Sequence, residues 1–500
     1  MDTTAVTTTA QAPGPTRPGL KPNALGALGI LFFVLSAQAP LTGIAGAVPI
    51  AVAIGNGPGT PAAYAIAGLI VLLFSVGFVA MGRYVVDAGA FYTYIGKGLG
   101  RTTGTGSAGV ALLAYSTIQG SMYGLYGSVV SGLFDQFAGV SVPWWAAALV
   151  TMAVVQVLGA VGIELGAKVL GVFVLAEFSI LLAFGLVTFF KGGGPEGLAP
   201  AESFSVSAAL DGAPGVALVF ALASMIGFEA TAIYGEEARE PRKTMPRATY
   251  LAVAVITAFF AFTSWMLISA YGASNSGAAA GKALESGDST AFVFAPVADL
   301  FGGWTNDVLP FLLATSLFAG ILAFHNSANR YFYSLSRDGL LPRRLSSLNR
   351  RQSPWVAGAA QTTTAALLVV PFALAGKDPV LTLFSWFSGI AVLSITLLYF
   401  LTSLSVVVFF RRERLDTRPW NTLIAPLLGA AGIAGAIWLI LVNFTTLIGG
   451  DSATATWLAV TVPTVLVLCV GLSRLPYARR AAAVRAAADG TPAHAPAADV

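Results

Sequence analysis

The sequence predicts an all-α integral membrane protein with twelve transmembrane helices, and three observations support this fold class. Of its 500 residues, 56% are hydrophobic and only 10% are charged, with a mean hydropathy of +0.78, whereas soluble domains are about 25% charged. Twelve apolar runs that can cross a bilayer follow one another along the chain. Positive charges gather on alternate connections between these runs.

Glycine, proline and charged residues bound the twelve predicted spans. The spans cover about 24–54, 61–84, 103–133, 144–163, 167–190, 215–235, 247–272, 304–336, 354–376, 379–410, 421–448 and 454–474. Residues 1–22 are polar and lack the basic start and apolar core of a signal peptide. We expect residues 1–22 and 475–500 to be tails outside the membrane, the first of them disordered.

The basic residues indicate how the spans are oriented. The odd-numbered loops contain only Lys191, Lys282 and Lys377, while the other 24 of the 27 Lys and Arg lie in tails, even-numbered loops and the adjoining helix ends. Basic residues favour the cytoplasmic side of a membrane. Both termini are therefore predicted to be cytoplasmic, in a multi-pass protein of the plasma or inner membrane.

Few residues are suited to metal or redox chemistry. The chain has a single cysteine, Cys469, and two histidines, His325 and His494, and it lacks an HExxH motif. These counts argue against a disulfide framework and a zinc site, so no cofactor or metal is expected. The net charge of +4 comes largely from loops and tails and gives no indication of nucleic-acid binding.

Span 1 is too long to cross the bilayer as one straight helix. Its length of about 31 residues would extend roughly 46 Å, against a hydrocarbon core of about 30 Å. Pro40, Gly43, Gly46 and Pro49 lie near its centre, and such residues weaken a helix. We expect a break near residues 40–46, and a weaker interruption of span 6 around Gly227.

The two interrupted spans stand five apart, so they run through the membrane in opposite directions. This arrangement predicts two inverted five-span repeats, 23–190 and 215–410, followed by two extra spans within 421–474. A substrate site would then lie between the two breaks, near the middle of the bilayer. Close packing of helices would explain a glycine in span 6 equally well.

Breaks of this kind suit a zwitterion. A half-helix that begins at a break presents unpaired amides, and one that ends there presents carbonyls. An amino acid is therefore the predicted substrate, whereas a small amine would use only half of the site. The carboxylate would meet amides near Thr42, Gly43, Ile44, Ala45 and Gly46, and the ammonium would meet carbonyls near Ser224, Met225 and Gly227.

Three ionisable residues are predicted at membrane depth. They are Glu177 in span 5, Glu229 in span 6 and His325 in span 8. A charge at a helix centre costs about 2.5–3.5 kcal/mol, so we expect these residues to couple transport to protons or to take part in gating. The alternatives are buried struts for the carboxyl groups and a hydrogen bond across helices for His325.

Further residues are placed near the predicted site by helical spacing. Tyr115, Gln119 and Tyr123 form one polar and aromatic stripe on span 3, and Gln119 and Tyr123 are candidates for contact with substrate. Phe220 and Phe324 lie within a turn or two of the site and are candidates to close over a substrate. Helix packing explains both sets as well.

Three segments resemble the amino acid-polyamine-organocation superfamily of permeases. They are GRYVVDAGAFYTYIGKGLGR (82–101), GFEATAIYGEEAREPRKTMPRA (227–248) and FAGILAFHNSANRYFYSLSRDGLLPRRL (318–345), in the order of that family. The resemblance covers about residues 24–410. It implies a leucine-transporter-type fold, with alternating access around spans 1 and 6. Members of this superfamily import, export or exchange amino acids, and some move polyamines or other amines.

Four positions of this chain can be compared with residues that have a known role in the superfamily. Residues 227–229 match the Gly-aromatic/aliphatic-Glu motif of span 6, whereas the glycine triplet of span 1 falls on residues 42–44, from which this chain departs. Ala223 stands where some relatives have a gating tryptophan, which implies a different pocket shape. Glu177 stands near a lysine that is thought to replace a sodium ion in several relatives.

Glu236 and Glu237 are candidates for an inner gate. They follow span 6, where two acidic residues at a helix C-terminus oppose the helix dipole. Pairing with Arg83, Arg337 or nearby arginines would close the cytoplasmic side. The alternative is a solvated loop whose basic residues only fix the orientation.

The sequence thus predicts a secondary transporter of amino acids, not an enzyme. Protons are favoured as the coupling ion, because carboxyl groups and an imidazole are present without a carboxylate cluster for a metal. Amine or polyamine transport and substrate exchange are the alternatives. A membrane enzyme would need a fixed nucleophile and base, yet a GxSxG motif is absent, and a channel would show charged rings or repeated filter loops.

Overall fold

The described part of the chain is helical. The computed structural model describes residues 20–161 and 163–474, without the side chains of residues 163–170. Within these ranges, the β-structure consists of two isolated bridges, Leu25 with Ala238 and Gly194 with Gly197. The prediction of an all-helical fold with many apolar helices is confirmed. The predicted tails lie outside the described residues, apart from residues 20–22.

Twenty-one α-helices are found in the described ranges. They are α1 (Ala27–Gln38), α2 (Pro40–Thr42), α3 (Val48–Ile50), α4 (Thr60–Gly82), α5 (Phe91–Leu99), α6 (Arg101–Ala138), α7 (Trp144–Val161), α8 (Ile163–Phe190), α9 (Pro200–Phe204), α10 (Val206–Leu210), α11 (Pro214–Ala223), α12 (Ala230–Ile233), α13 (Pro241–Tyr271), α14 (Ala273–Glu285), α15 (Ala291–Phe301), α16 (Thr305–Arg337), α17 (Trp355–Leu374), α18 (Ser385–Glu413), α19 (Ala425–Val442), α20 (Phe444–Ile448) and α21 (Ser452–Ser473).

Shorter segments of tighter or wider helix join several of these. The π-helical segments are Gly43–Ala47, Ala51–Asn56, Pro379–Phe384 and Trp420–Ile424. The 3-10 segments are Gly57–Gly59, Gly235–Glu237 and Arg343–Ser346.

Nine segments of the described ranges are long and apolar enough to cross a membrane. The first, Ala27–Gly82, covers predicted spans 1 and 2, so the nine segments match ten of the twelve predicted spans. The other two spans correspond to α6, which is rich in Gly, Ser and Thr, and to the short helix α11. The count of twelve crossings and the inverted repeat remain predictions.

The first helix is interrupted at Ala39. Helix α1 ends at Gln38, and Ala39 adopts a left-handed conformation (φ 41°, ψ 69°) before the chain turns helical again at Pro40. Proline disfavours the right-handed helical conformation in the residue before it. The interruption therefore lies just ahead of the predicted stretch 40–46, and Gly43–Ala47 forms π-helix instead.

The second interruption separates α11 from α12. Residues 224–229 form turns, and within them Gly227 has a φ of +118°. Glycine reaches this conformation without steric cost, unlike other residues. An added Cβ at Gly227 would lie 2.8 Å from the Cβ of Ala37. Gly227 thus serves both the turn and the close approach of α1.

A small set of long helices surrounds the two interruptions. Helix α1 packs against α8, α13 and α16, while α16 also packs against α6, α7 and α17. Helix α6 in turn packs against α18. Their buried apolar side chains form one large core cluster, so the helices that flank the interruptions belong to a single packed body.

Replacing Gly227 with alanine is expected to destabilise the protein. The variant must adopt a strained φ, which costs on the order of 1–3 kcal/mol, and its Cβ meets Ala37. The apparent midpoint of thermal unfolding, followed by tryptophan fluorescence in detergent, should fall. The matched control is Gly277→Ala on α14, where an added Cβ meets nothing within 4 Å. Equal midpoints for the two variants would contradict a strained turn at Gly227.

Candidate functional site

The two helix interruptions lie side by side. The side-chain amide of Gln38, at the end of α1, donates to the carbonyl of Met225 in the second interruption (3.2 Å). An added Cβ at Gly43 would lie 3.5 Å from the Oγ of Ser224. The segments that the sequence assigned to two halves of one site are therefore neighbours in the structure.

Side chains from two other helices satisfy the amides released at the first interruption. Because a helix begins at Pro40, the amides of Leu41 and Thr42 have no partner within it. The amide of Leu41 donates to Glu177 Oε2 on α8 (3.2 Å), and that of Thr42 donates to Ser316 Oγ on α16 (3.4 Å). Glu177 and Ser316 are fully buried. The helix start is thus held by a carboxylate and a hydroxyl.

The other residues predicted to offer amides lie within helical turns. The amide of Gly43 donates to the carbonyl of Ala39 (2.9 Å). Ile44, Ala45 and Gly46 belong to the π-helical segment Gly43–Ala47. The two amides at the helix start, Leu41 and Thr42, are the ones for which the structure shows side-chain partners, because only the first turn of a helix lacks internal acceptors.

Glu229 holds the second interruption together. Its Oε2 accepts hydrogen bonds from the amide of Gly227 (2.8 Å) and the hydroxyl of Tyr399 (2.8 Å), and its Oε1 accepts one from the hydroxyl of Tyr115 (3.1 Å). The side chain is fully buried. One carboxylate therefore ties the turn to α6 and α18, which is the geometry of a hydrogen-bonded strut.

The polar stripe of α6 turns toward the second interruption and α16. Tyr115 reaches Glu229, and one turn later the side-chain amide of Gln119 donates to the carbonyl of Ile321 on α16 (3.1 Å). Tyr123 is buried, and its hydroxyl lies beside Gln119 without meeting hydrogen-bond geometry to any described residue. The stripe thus contributes contacts to the second interruption and to α16.

Met122 also belongs to this face of α6. Its Cε occupies the space that a side chain at Gly320 would need, and the same space is bordered by Ala39. Sequence reasoning missed Met122, because a methionine carries no polar signal. Its spacing of three residues from Gln119 is the only indication that it shares the face.

The predicted aromatic and histidine residues are distributed differently. Phe220 is half-buried on α11. The buried ring of Phe324 lies 6.3 Å, centre to centre, from the ring of Tyr115. His325 is buried against Gly159 on α7, and neither ring nitrogen has a partner among the described residues. His325 therefore faces α7 and not the two interruptions.

A buried ion pair joins the 3-10 segment Gly235–Glu237, which follows α12, to α16. Arg330 of α16 binds Glu237 through two contacts, one from Nη2 to Oε1 (2.9 Å) and one from Nε to Oε2. Both side chains are at most 3% exposed. The guanidinium also donates to the carbonyl of Asn326 (2.8 Å) and lies 4.8 Å from the ring centre of Tyr234.

A second, partly exposed network lies beside this pair. Arg337 binds Glu236 through Nη1 to Oε2 (2.9 Å) and Nη2 to Oε1 (2.6 Å), and its Nη2 reaches Oδ2 of Asp87 (3.2 Å). The amide of Ala88 donates to Glu236 Oε1 (3.1 Å). Arg83 is also predicted from the sequence as a partner of these glutamates. Among the described residues, it belongs to neither of the two ion pairs.

The segment before α1 is tied to the same region. The amide of Leu25 donates to the carbonyl of Glu237 (3.0 Å), and the amide of Arg239 donates to the carbonyl of Leu25 (2.7 Å). This backbone bridge joins the segment before α1 to the segment after α12, and the two ion pairs join the segment after α12 to α16.

The charges that follow are exposed. Glu240 pairs with Lys243 (2.6 Å), whose hydrogen bond and charge lower the pKa of the Glu240 carboxyl. Because both side chains are about 70% exposed, this pair contributes little to stability. Within residues 20–161 and 163–474, no group of three or more His, Cys, Asp or Glu side chains could hold a metal ion.

Removing the buried arginine is expected to destabilise the protein more than removing the exposed one. Arg330→Met leaves Glu237 buried and unpaired, which costs about 3–5 kcal/mol. Arg337→Met leaves partly exposed carboxylates, at a cost of about 1 kcal/mol or less. Chemical unfolding in detergent, followed by tryptophan fluorescence, measures both free energies.

The double variant Arg330→Met, Glu237→Gln is the control for this comparison. It should recover part of the loss, because the buried carboxylate is then neutral. If Arg330→Met proved no more destabilising than Arg337→Met, the assignment of a buried ion pair would be wrong.

The sequence is similar to a known protein family and to two of its characterised relatives. The sequence model of the family described as Amino acid permease matches residues 33–481. The chain is 22% identical over 382 residues to the serine/threonine exchanger SteT of Bacillus subtilis, covering 76% of this chain and 81% of that protein. It is 29% identical over 149 residues to the branched-chain amino acid permease BcaP of Lactococcus lactis, covering 28% of each.

A solved structure shares the fold. The crystal structure of MhsT in complex with L-phenylalanine aligns with 86% of this chain and 100% of its own, with a TM-score of 0.58 and 18% sequence identity.

Proposed function

The chain belongs to the amino acid permease family, and from that premise we propose that it is a secondary transporter that moves amino acids across the membrane by alternating access. The observation that supports this most is the adjacency of two helix interruptions inside an apolar bundle. Irregular backbone at membrane depth is tolerated where it faces protein or a polar cavity. Relatives named as an amino acid exchanger and an amino acid permease agree with this substrate class.

The proposed architecture is twelve spans in two inverted repeats. Residues 23–190 and 215–410 form the repeats, and residues 421–474 add two further spans. The interrupted helices then open each repeat, which is the arrangement in which transporters bind substrate between repeats. Both termini and the ion pairs of Glu236 and Glu237 face the cytoplasm, in the plasma or inner membrane.

The proposed substrate site lies between Ala39 and the turn at residues 224–229. The ammonium of an amino acid binds carbonyls near Ser224 and Met225, and its carboxylate binds near the helix start at Thr42. Gln119 and Tyr123 on α6 line the site, and Phe220 and Phe324 border it. Gly227 leaves room for the close approach of α1, since a side chain there would meet Ala37, and Gly43 leaves room for the ring of Phe260 on α13.

The proposed coupling ion is the proton. Glu177 and Glu229 are fully buried carboxyl groups, and each binds a main-chain amide at one interruption. Gain or loss of a proton at either group changes how strongly it holds that amide. His325 is a third candidate for carrying the proton. Because it faces α7, its effect on the substrate site would be transmitted through the surrounding helices.

The proposed inner gate is the network of Glu236, Arg337 and Asp87. These side chains are 18–34% exposed, so water can replace their contacts when the gate opens. If an ion pair is broken where water cannot reach it, its charges are left unpaired. The buried pair of Glu237 and Arg330 would have this cost. We therefore propose that the exposed network opens while the buried pair stays together.

Uptake into proteoliposomes tests this function. Purified full-length protein should accumulate at least one labelled amino acid from a panel, and an inwardly directed proton gradient should increase its initial rate. Uptake that requires unlabelled amino acid inside the vesicles would identify an exchanger. If no amino acid or amine is moved or competes, the proposed function is wrong.

Glu177→Gln and Glu229→Gln test the coupling residues in the same assay. Each glutamine keeps the shape but cannot exchange a proton, so uptake should lose its dependence on the gradient. Glu285→Gln, at the exposed end of α14, is the control and should keep it. Unchanged dependence in the first two variants would exclude them as proton carriers.

A further inference from the structure

A set of buried polar side chains lies where α7, α16 and α17 pack against one another. His325 and Asn329 stand one turn apart on α16, and Gln361 stands on α17. His325 and Gln361 are fully buried, and Asn329 is 2% exposed. These three side chains are termed the junction residues. Neither Asn329 nor Gln361 has a role in the proposed transport cycle.

Two glycines make room for the side chains of α16. An added Cβ at Gly159 of α7 would lie 3.0 Å from Cδ2 and 3.1 Å from Nε2 of His325. One at Gly358 of α17 would lie 3.0 Å from Nδ2 of Asn329. A side chain at either glycine would therefore crowd a junction residue. Polar groups fill this contact between helices, although residues of these types are seldom fully buried.

Helical geometry places Gln361 near His325. Helices α16 and α17 are consecutive candidates for membrane spans, so they run in opposite directions. Gly358 meets Asn329, and Gln361 follows Gly358 by one turn on the same side of α17. It therefore lies level with the turn of α16 that precedes Asn329, and this turn carries His325.

Five polar atoms of the junction residues have no hydrogen-bond partner among the described residues. They are both ring nitrogens of His325, Oδ1 of Asn329 and both amide atoms of Gln361. Leaving a buried polar group unpaired is unfavourable, and the large majority of buried polar atoms in proteins have a partner. Five such atoms in one place therefore indicate that a further molecule completes their hydrogen bonds.

Polar groups on α7 and α17 beside the junction residues are already paired. The side-chain amide of Gln156 donates to the carbonyl of Trp355 (3.1 Å), and its oxygen accepts from the hydroxyl of Thr362 (3.3 Å). The carbonyl of Gly159 accepts from the hydroxyl of Ser353 (2.7 Å). These bonds hold the helices together at the edge of the junction and leave the five atoms without a partner.

The groups around the five atoms are uncharged. Arg330, further along α16, is committed to Glu237 and to the carbonyl of Asn326. The side-chain oxygen of Asn326 would lie 3.5 Å from an added Cβ at Gly159, so it borders the same space as His325. None of the five atoms is bonded to a charged group. Among the described side chains, the junction is therefore lined by neutral groups.

The five atoms suit a molecule that both donates and accepts. A neutral imidazole has one donor and one acceptor, an amide oxygen accepts, and an amide nitrogen has two protons to donate. A cation would use only the acceptors of this set, and an anion only the donors. Water uses both, and a buried water molecule typically makes about three hydrogen bonds to groups that otherwise lack partners.

The junction also lies close to an exposed surface. Helix α7 ends at Val161, two residues after Gly159. The loop before α17 binds this end, because the side-chain amide of Asn349 donates to the carbonyl of Ala160 (2.7 Å) and Nη1 of Arg351 to that of Val161 (2.9 Å). Arg351 is exposed, so water is available within about a turn of His325.

We propose that ordered water molecules occupy the junction of α7, α16 and α17 and hydrogen-bond to His325, Asn329 and Gln361. The three helices are then joined by water-mediated contacts as well as direct ones. Water at His325 also gives the imidazole a partner with which it can exchange a proton. The inference does not depend on the proposed function, because the junction residues lie outside the proposed substrate site.

A structure of the full-length protein at about 2 Å resolution or better tests the inference without a variant. At least two water molecules should lie within about 2.7–3.2 Å of the five atoms. Direct hydrogen bonds that pair these atoms with protein groups would overturn the inference. A space without density for water, or density of another molecule, would overturn it as well.

Gln361→Leu tests the same point by the sign of its effect. Where water bonds to Gln361, the variant leaves the water short of partners, so the midpoint of thermal unfolding in detergent should fall by about 2 °C or more. If the amide has no partner, its removal should raise the midpoint or leave it unchanged, which would contradict the inference. Gln136→Leu, at the exposed end of α6, is the control and should have little effect.

The two histidines of the chain allow a measurement at His325 itself. Full-length protein with isotope-labelled histidine, in liposomes, is studied by solid-state NMR, and His494→Gln removes one of the two imidazoles and so assigns the other. Magnetisation should pass from water to a ring nitrogen of His325. A His325 signal that receives none from water would overturn the inference.

Discussion

A helix that is interrupted inside an apolar bundle must find partners for the amides it releases, and this requirement organises the centre of the molecule. The bilayer core offers no water to satisfy such groups. Here three buried side chains accept from the freed amides: Glu177 from Leu41, Ser316 from Thr42 and Glu229 from Gly227. These contacts, together with the hydroxyls of Tyr115 and Tyr399 on Glu229, draw α6, α8, α16 and α18 around the two interruptions.

The same requirement links structure to the proposed transport cycle. Because side chains and not the helix itself hold the interrupted ends, a change at one carboxyl group alters the contacts of a main-chain segment. After the second interruption, the network of Arg337 is partly exposed to solvent, whereas the pair of Arg330 and Glu237 is buried. The molecule thus has one network that water can loosen and one that favours a fixed arrangement.

Much of the fold could be predicted from the sequence, because hydropathy and the placement of charge are properties of the chain itself. The first interruption lies at Ala39, ahead of the predicted stretch 40–46, because proline acts mainly on the residue before it and the glycines belong to a π-helical segment. Partners were harder to predict. The contact of Leu41 with Glu177 joins residues 136 positions apart. Arg330 and its buried partner Glu237 are 93 positions apart, and only the fold reveals this pair.

The position of a bound substrate tests the central claim most directly. In a crystal structure of the protein with a bromine-substituted amino acid or amine that it transports, the anomalous signal of bromine marks the ligand. We expect the peak beside residues 38–42 and 224–229, with the ligand's nitrogen toward the carbonyls of Ser224 and Met225. A fully occupied peak elsewhere, with the contacts of both interruptions unchanged, would contradict the account.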